Sequence, residues 1–333
     1  MEPVSQSPLV SVVTPVHNGE RYLRHCIESV LAQTYQHWDY TIVNNWSTDR
    51  TVEIANEYAA SDTRIRIWNS ERFVRVEQNY NNAFRQISPE SKYCKVVAAD
   101  DWLAPECLEK MVGLAERHPT VGIVGAYGLT DTKVEWQGLP YSTTVVNGRE
   151  LCRTRLLGGP YLFGTATSLL FRSDIVRRRN AFFNEANLHC DSEACLEVLE
   201  HHDFGFVHQV LTFQGVRPDS LTSFSIAMQT YLPWVLLELV KYGPKHLSAE
   251  ELESRIDQHL KGYYRYLGEQ IYHQRDRDFW NYHKNQLAAQ GYPMSFSRLG
   301  AAATSYALEF MNPKTVVKGV IWPFRRLRAM TAR

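Results

Sequence analysis

The chain has 333 residues, enough for two domains of ordinary size or one large domain with an appendage. Its 36 Lys and Arg balance its 36 Asp and Glu, so no overall field advertises a nucleic-acid partner, and any basic surface has to be local. Six scattered cysteines, Cys26, Cys94, Cys107, Cys152, Cys190 and Cys195, form no CxxC pair and no set with zinc spacing, which argues against a zinc module and suits a reducing, cytoplasmic setting. Met1 to Pro8 is polar and does not read as a secretory signal, and no apolar run approaches the roughly eighteen residues that a spanning helix needs.

In chain order, Leu9 to Val16 predicts a first strand, followed by the turn His17-Asn18-Gly19. Leu23, Cys26, Ile27, Val30 and Leu31 recur at helical intervals and predict a helix with one apolar face. Tyr40 to Val43 is a second strand, closed by Asn44-Asn45-Trp46. Ser47-Thr48-Asp49 then offers caps for a helix with Val52, Ala55, Tyr58 and Ala59 facing inward. Ile65 to Trp68 is a third strand, and a helix from about Gln78 to Ile87 leads to a fourth, Lys95 to Ala99. That apolar run stops at Asp100-Asp101, which places two carboxylates at its carboxyl end. Pro105 to His118 predicts another helix and Val121 to Ala126 a fifth strand. Strands alternating with helices predict an α/β fold, a parallel sheet with right-handed crossovers.

After Gly128 the rhythm changes. Thr130 to Gly148 is rich in turn residues, and Gly158 to Gly164, with Tyr161 and Phe163, is irregular. Asp191-Ser192-Glu193 opens a helix, Phe204 to Val207 is a strand, and the chain reads as helical from Ile226 on. The expected division is 1–128, 129–225 and a helical region, 226–333.

Adjacent carboxylates repel each other and raise each other's pKa unless a cation lies beside them, and oxygen donors of this kind suit magnesium or manganese. Asp101 has a plainer reading as a cap, with Pro105 at the first helical position. No GxGxxG follows the first strand and no GxxxxGK[ST] occurs anywhere, so neither a dinucleotide fingerprint nor a P-loop is present. Polar groups from three strand ends meet instead, at Thr14-Pro15-Val16-His17-Asn18-Gly19, at Asn44-Asn45-Trp46-Ser47-Thr48-Asp49, and at Asp100-Asp101. Ligands of open α/β sheets bind in the crevice outside such ends.

In this order and at this spacing, four pieces resemble the family 2 glycosyltransferases, which have the GT-A fold. They are Val10 to Asn18, Ile27 to Tyr35, Ile42 to Thr51, and Ala99-Asp100-Asp101-Trp102-Leu103 with Pro105-Glu106. The resemblance implies inverting transfer of a sugar from a nucleotide diphosphate, UDP first among the donors, to an acceptor hydroxyl of a glycan or lipid-linked molecule. It implies Mn2+ or Mg2+ held by Asp100, with Asp101 supporting that site. It also implies donor contacts at Thr14, Pro15, His17, Asn18 and Asn45, and at Arg217 in a late loop over the diphosphate. Two departures stand out: Asn44-Asn45 replaces the usual pair of acids, and Ala98 replaces an acid two residues before Asp100.

Direct displacement at the anomeric carbon needs a base, and the family's later acidic motif falls at Asp191, which implies that role. A free Asp, with a pKa of about 3.9, is a weak base, so burial or Glu193 has to raise it. Asp191 also reads simply as a helix-start residue, with Glu193 favouring the helix dipole. The resemblance puts nucleotide-sugar binding in 1–128 and acceptor binding and catalysis in 129–225, with Gly158 to Gly164, including Tyr161 and Phe163, as the acceptor wall and Gly164, Trp102 and Glu193 as the acceptor candidates. Asp219 is either an extra metal ligand or a turn residue. Lys314, Lys318, Arg325, Arg326, Arg328 and Arg333, interleaved with Val, Ile, Trp and Phe, fit either a solvated tail or one lying on an anionic bilayer at the inner face of the membrane. A noncatalytic nucleotide-sugar-binding or scaffold protein is the alternative that the missing acids suggest.

Overall fold

The computed structural model describes residues 7–311 apart from 216, 218 and 219. Asp219 and the basic residues from Lys314 onward lie outside that set. The chain divides into two compact units, Met1–Ser220 and Leu221–Arg333.

In the first unit the order is β1 (Val10–Val16), α1 (Leu23–Leu31), β2 (Trp38–Asn44), α2 (Thr51–Ser61), β3 (Ile65–Asn69), α3 (Val76–Phe84) and β4 (Tyr93–Val96). Next come β5 (Trp102–Leu103), α4 (Cys107–Arg117), β6 (Val121–Thr130), β7 (Lys133–Glu135), β8 (Val145–Val146), α5 (Gly148–Leu156) and a 3-10 turn, Ala166–Ser168. The unit closes with β9 (Leu170–Arg172), α6 (Ser173–Arg177), α7 (Cys190–Leu199) and β10 (Asp203–Gln214).

One mixed sheet runs β3-β2-β1-β4-β9-β6-β10-β5, with β7 on β6 and β8 on β10. β1 pairs in parallel with β2 and β4, and β10 with β6. β9 enters antiparallel between β4 and β6, and β5, β7 and β8 are also antiparallel, so the sheet is mostly rather than wholly parallel. The stretch after Gly128 therefore completes the first sheet instead of building a second.

Side-chain alternation along β1 sorts the layers. Val10, Val12 and Val16 join one core with Leu23, Ile27 and Val30 of α1, Ile54 of α2, and Leu108 and Met111 of α4. On the other face the Ser11 hydroxyl accepts from Ser88 N just past α3, and Phe84 of α3 packs edge-on against Phe171, Phe182 and Phe183. On α2 the inner face carries Thr51, Ile54 and Ala55, while Val52 is only half-buried.

The second unit holds α8 (Leu221–Met228), α9 (Tyr231–His246), α10 (Ala249–Gln270), α11 (Arg277–Ala289) and α12 (Phe296–Met311). Ser248 and Glu251 form a capping box that starts α10. Leu236, Leu260, Tyr263, Tyr264, Leu267, Phe279 and Leu287 make its core. At Gly268 a Cβ would sit 2.7 Å from Ala303 N, so glycine is what lets α12 approach α10. Among the described residues no helix is long and apolar enough to cross a membrane.

Candidate functional site

The carboxyl ends of β1 and β2 are tied together before they present anything to a ligand. Asn18, in the left-handed region at φ 50°, accepts from Thr48 N at 2.8 Å and its own N donates to Ser47 Oγ at 2.9 Å. Gly19 N donates to Thr51 Oγ1 and Glu20 N to Asp49 Oδ2, which fixes the turn after β1 against the start of α2. Pro15 is accommodated in β1 because the ladder with β4 reaches only Val13 and the Val97 N–H that follows it, leaving no missing donor at Pro15.

Two residues expected at the donor are turned inward. Thr14 is fully buried, and its hydroxyl meets the Tyr40 hydroxyl at 2.7 Å, because even-numbered β1 residues face the α1 core. Asn45, 2% exposed, closes its side-chain amide on one backbone unit: Nδ2 donates to Val74 O at 2.8 Å and Oδ1 accepts from Val74 N at 2.9 Å. Its neighbour Asn44 is likewise engaged, with Asn69 Oδ1 and Ser47 N. The carbonyl of Asn45 meets His17 Nδ1 at 2.8 Å. His17 itself is exposed, edge-on to the exposed Phe73 at 4.7 Å between centroids, and Trp46, 52% exposed, follows directly.

The fourth strand ends earlier than its apolar run suggests, at Val96, because Ala98 N leaves the ladder and donates to Thr167 Oγ1. Asp101 N then donates to Ala98 O in a tight turn. Buried Lys95 donates to the carbonyls of Thr167 and Leu169, locking the 3-10 turn against β4. Asp101 does not cap α4, which begins at Cys107 with Glu106 as its cap residue, so Pro105 lies outside the helix. Its Oδ1 accepts instead from Gly215 N at 3.0 Å, past the end of β10. Burial, and then the charge of Asp100, push the Asp101 carboxyl up to about 7.

Asp100 accepts at Oδ2 from Arg217 Nε at 2.7 Å, and the guanidinium lies 5.5 Å from the Tyr22 ring centroid. Gly215 is where β10 meets this turn: a Cβ there would stand 2.2 Å from the Asp100 carbonyl oxygen. Among the described residues no three His, Cys, Asp or Glu could hold a metal by themselves. Asp100, already paired with a cation, and Asp101 beside it are oxygen donors of the kind that suit a hard divalent ion.

Asp191 is the second residue of α7, in its first turn. Its Oδ1 accepts from Ser192 N at 2.7 Å, and burial pushes the carboxyl up to about 6. Glu193 does not share that task. It is 2% exposed and accepts from Asn184 Nδ2 at 3.0 Å and Asn187 Nδ2 at 2.7 Å, tying the preceding loop to α7. One phenol links the acids: after burial, the charges of Asp101, Asp100 and Asp191 together hold Tyr80 of α3 well above its ordinary value. All three carboxyls therefore lie within electrostatic reach of the Tyr80 phenol. Sequence reasoning passed over Tyr80, since one Tyr in an amphipathic helix carries no signal.

The acceptor candidates separate. Trp102 stacks on Phe213 at 5.5 Å and 3° and meets His25 edge-on, so it packs β5 onto β10. Phe163 is buried, edge-on against Tyr161 and Phe204. Tyr161 donates to Gly164 O at 2.9 Å and also meets Ser192 Oγ, beside Asp191.

Residues 11–179 match the model of the family described as glycosyl transferase family 2. The chain is 26% identical over 189 residues to the glycosyltransferase GlyG of Streptococcus pneumoniae, covering 54% of this chain and 60% of that one. It is 32% identical over 123 residues to EpsE of Bacillus subtilis, covering 37% and 44%. The matches thus span about half the length of these curated relatives. Among solved structures, S. aureus TarS 1-349 in complex with UDP-GlcNAc superposes with a TM-score of 0.62 at 15% identity, covering 84% of this chain and 80% of that one. The mannosyltransferase PcManGT of Pyrobaculum calidifontis, in complex with GDP-Man and Mn2+, gives 0.56 at 14% identity, covering 94% and 83%. With half of its length matched by the family model and its fold superposing on these neighbours, the chain belongs to glycosyl transferase family 2 and has the GT-A fold.

Proposed function

We propose that the chain moves a sugar from a nucleotide diphosphate to an acceptor hydroxyl with inversion, and that the observation carrying this is the Asp100-Asp101 turn beyond β4, where Arg217 pairs with Asp100 at 2.7 Å and Gly215 N donates to Asp101 at 3.0 Å. The Asp191 carboxylate takes the acceptor hydroxyl proton as the new C–O bond forms and the anomeric carbon–phosphate oxygen bond breaks. Its raised pKa makes it a stronger base than a free Asp while leaving it ionised at neutral pH. Arg217 turns from Asp100 to the departing diphosphate and neutralises charge where it develops. Asp100, with Asp101 behind it, would hold a Mn2+ or Mg2+ ion, which supplies electrostatic stabilisation of the leaving group when bound. His17, Phe73 and Trp46 line the nucleoside end, and Asn45 shapes it by holding Val74. Neighbours carrying UDP-GlcNAc and GDP-Man support a nucleotide-sugar donor and leave its base open. The acceptor is a glycan or lipid-linked molecule.

Thermal unfolding with UDP, GDP, CDP or dTDP, each with and without manganese, tests the donor site. One nucleotide raises the Tm with metal, and Asp100→Ala removes that response. An equal response in Asp100→Ala sinks the assignment. The closed amide of Asn45 favours one second reading, a nucleotide-sugar-binding protein without turnover, because no carboxylate stands at that position. Slow hydrolysis of one sugar nucleotide from a donor panel rules that reading out.

A further inference from the structure

Trp136 stands in the turn-rich stretch after β7 and has no role in the reading above. Its backbone lies in the left-handed region at φ 61°, which bulky residues avoid. Two glycines make room for the ring. A Cβ on Gly128 would fall 1.9 Å from Trp136 Cζ3, and one on Gly164 would fall 3.0 Å from Cδ2. The indole is thus seated on bare backbone from β6 and from the 158–164 segment, yet Trp136 remains only half-buried.

Its two glycine supports connect to the two groups of carboxylates. On one side Gly128 also faces Gln214 Oε1, and Gln214 precedes Gly215, which packs on Asp100 and donates to Asp101. On the other side the Gly164 carbonyl is held by Tyr161, whose hydroxyl meets Ser192 beside Asp191. A molecule lying on the indole would have the base on one flank and the donor carboxylates on the other.

From this we infer that Trp136 is the floor of the acceptor subsite and that the acceptor presents a pyranose ring. The axial C–H bonds of a pyranose make one ring face apolar, and an indole is a flat, electron-rich match for it, whereas a polyol phosphate or an acyl chain has no such face. A strained backbone held over two glycines is the kind of outlier that marks a ligand contact rather than a plug. The inference deepens the glycosyltransferase reading and rests on it for the direction of the reaction.

The test uses the full chain with 15N-labelled indoles, titrated with methyl glycosides of glucose, galactose, mannose and N-acetylglucosamine. The Trp136 resonance is assigned by its loss in Trp136→Phe. At least one glycoside moves that resonance. Trp136→Phe, which keeps a ring, binds the same glycoside with a Kd within about threefold of the parent. Trp136→Leu, which keeps apolar volume without a π face, loses roughly tenfold. No shift with any glycoside, or Trp136→Leu binding as the parent does, overturns the inference. Thermal shift by nucleotide with manganese is read on the same samples: a parent that answers to a glycoside but to no nucleotide retains the Trp136 subsite and loses the donor assignment.

Discussion

Arg217 donates from Nε to the Asp100 carboxylate at 2.7 Å across 117 residues of chain, so the expected metal ligand and the expected diphosphate ligand hold each other when neither substrate is present. The pair predicts opposite effects from one change. Arg217→Ala frees Asp100, so manganese alone, titrated by electron paramagnetic resonance, binds about 2–5-fold more tightly. Nucleotide diphosphate with manganese, measured by calorimetry, binds about tenfold more weakly, because a charge-assisted contact to phosphate is gone. Unchanged manganese affinity would show that Arg217 does not compete for Asp100.

The buried Asp191 predicts two pH profiles. With its carboxyl raised to about 6, kcat/KM for donor turnover climbs tenfold per pH unit below 6 and levels above it, and Asp191→Asn abolishes the limb. For stability, the folded pKa exceeds the unfolded one, so the folded state holds the extra proton between about pH 4 and 6. The Asp191 contribution to stability therefore falls as pH rises through that window and is flat above it. Urea unfolding at pH 4 and pH 7 checks this: Asp191→Asn gains on the parent by up to about 3 kcal/mol at pH 7 and by little at pH 4.

Restoring the family's acid at position 45 is expected to harm the fold. Asp cannot donate to Val74 O, and its carboxylate would face that carbonyl in a buried site, so Asn45→Asp costs about 1–3 kcal/mol in denaturant unfolding. A variant as stable as the parent would mean that the clamp on Val74 is dispensable.

Gly215→Ala tests packing without touching a ligand group. The added methyl would meet the Asp100 carbonyl oxygen at 2.2 Å, so either the end of β10 or the Asp100 turn moves. The expected outcome is a lower Tm together with a nucleotide–manganese affinity reduced about tenfold or more. Loss of Tm with intact affinity would show that the Asp100 turn does not move.

The sequence by itself determined the alternation of strands and helices, the apolar face of α1 and the placing of Asp100-Asp101 just beyond a buried strand. Those features are local: side chains two apart on a strand, or three and four apart on a helix, share a surface, so their periodicity records which side is buried. Only the tertiary structure decided that β9 would slip antiparallel between β4 and β6, that Thr14 would face Tyr40, that Asn45 would spend its amide on Val74, and that Arg217 would reach Asp100. Each of these joins groups at least 25 residues apart, and which partner a polar group finds depends on the surfaces that meet when the sheet closes, a quantity no local pattern carries.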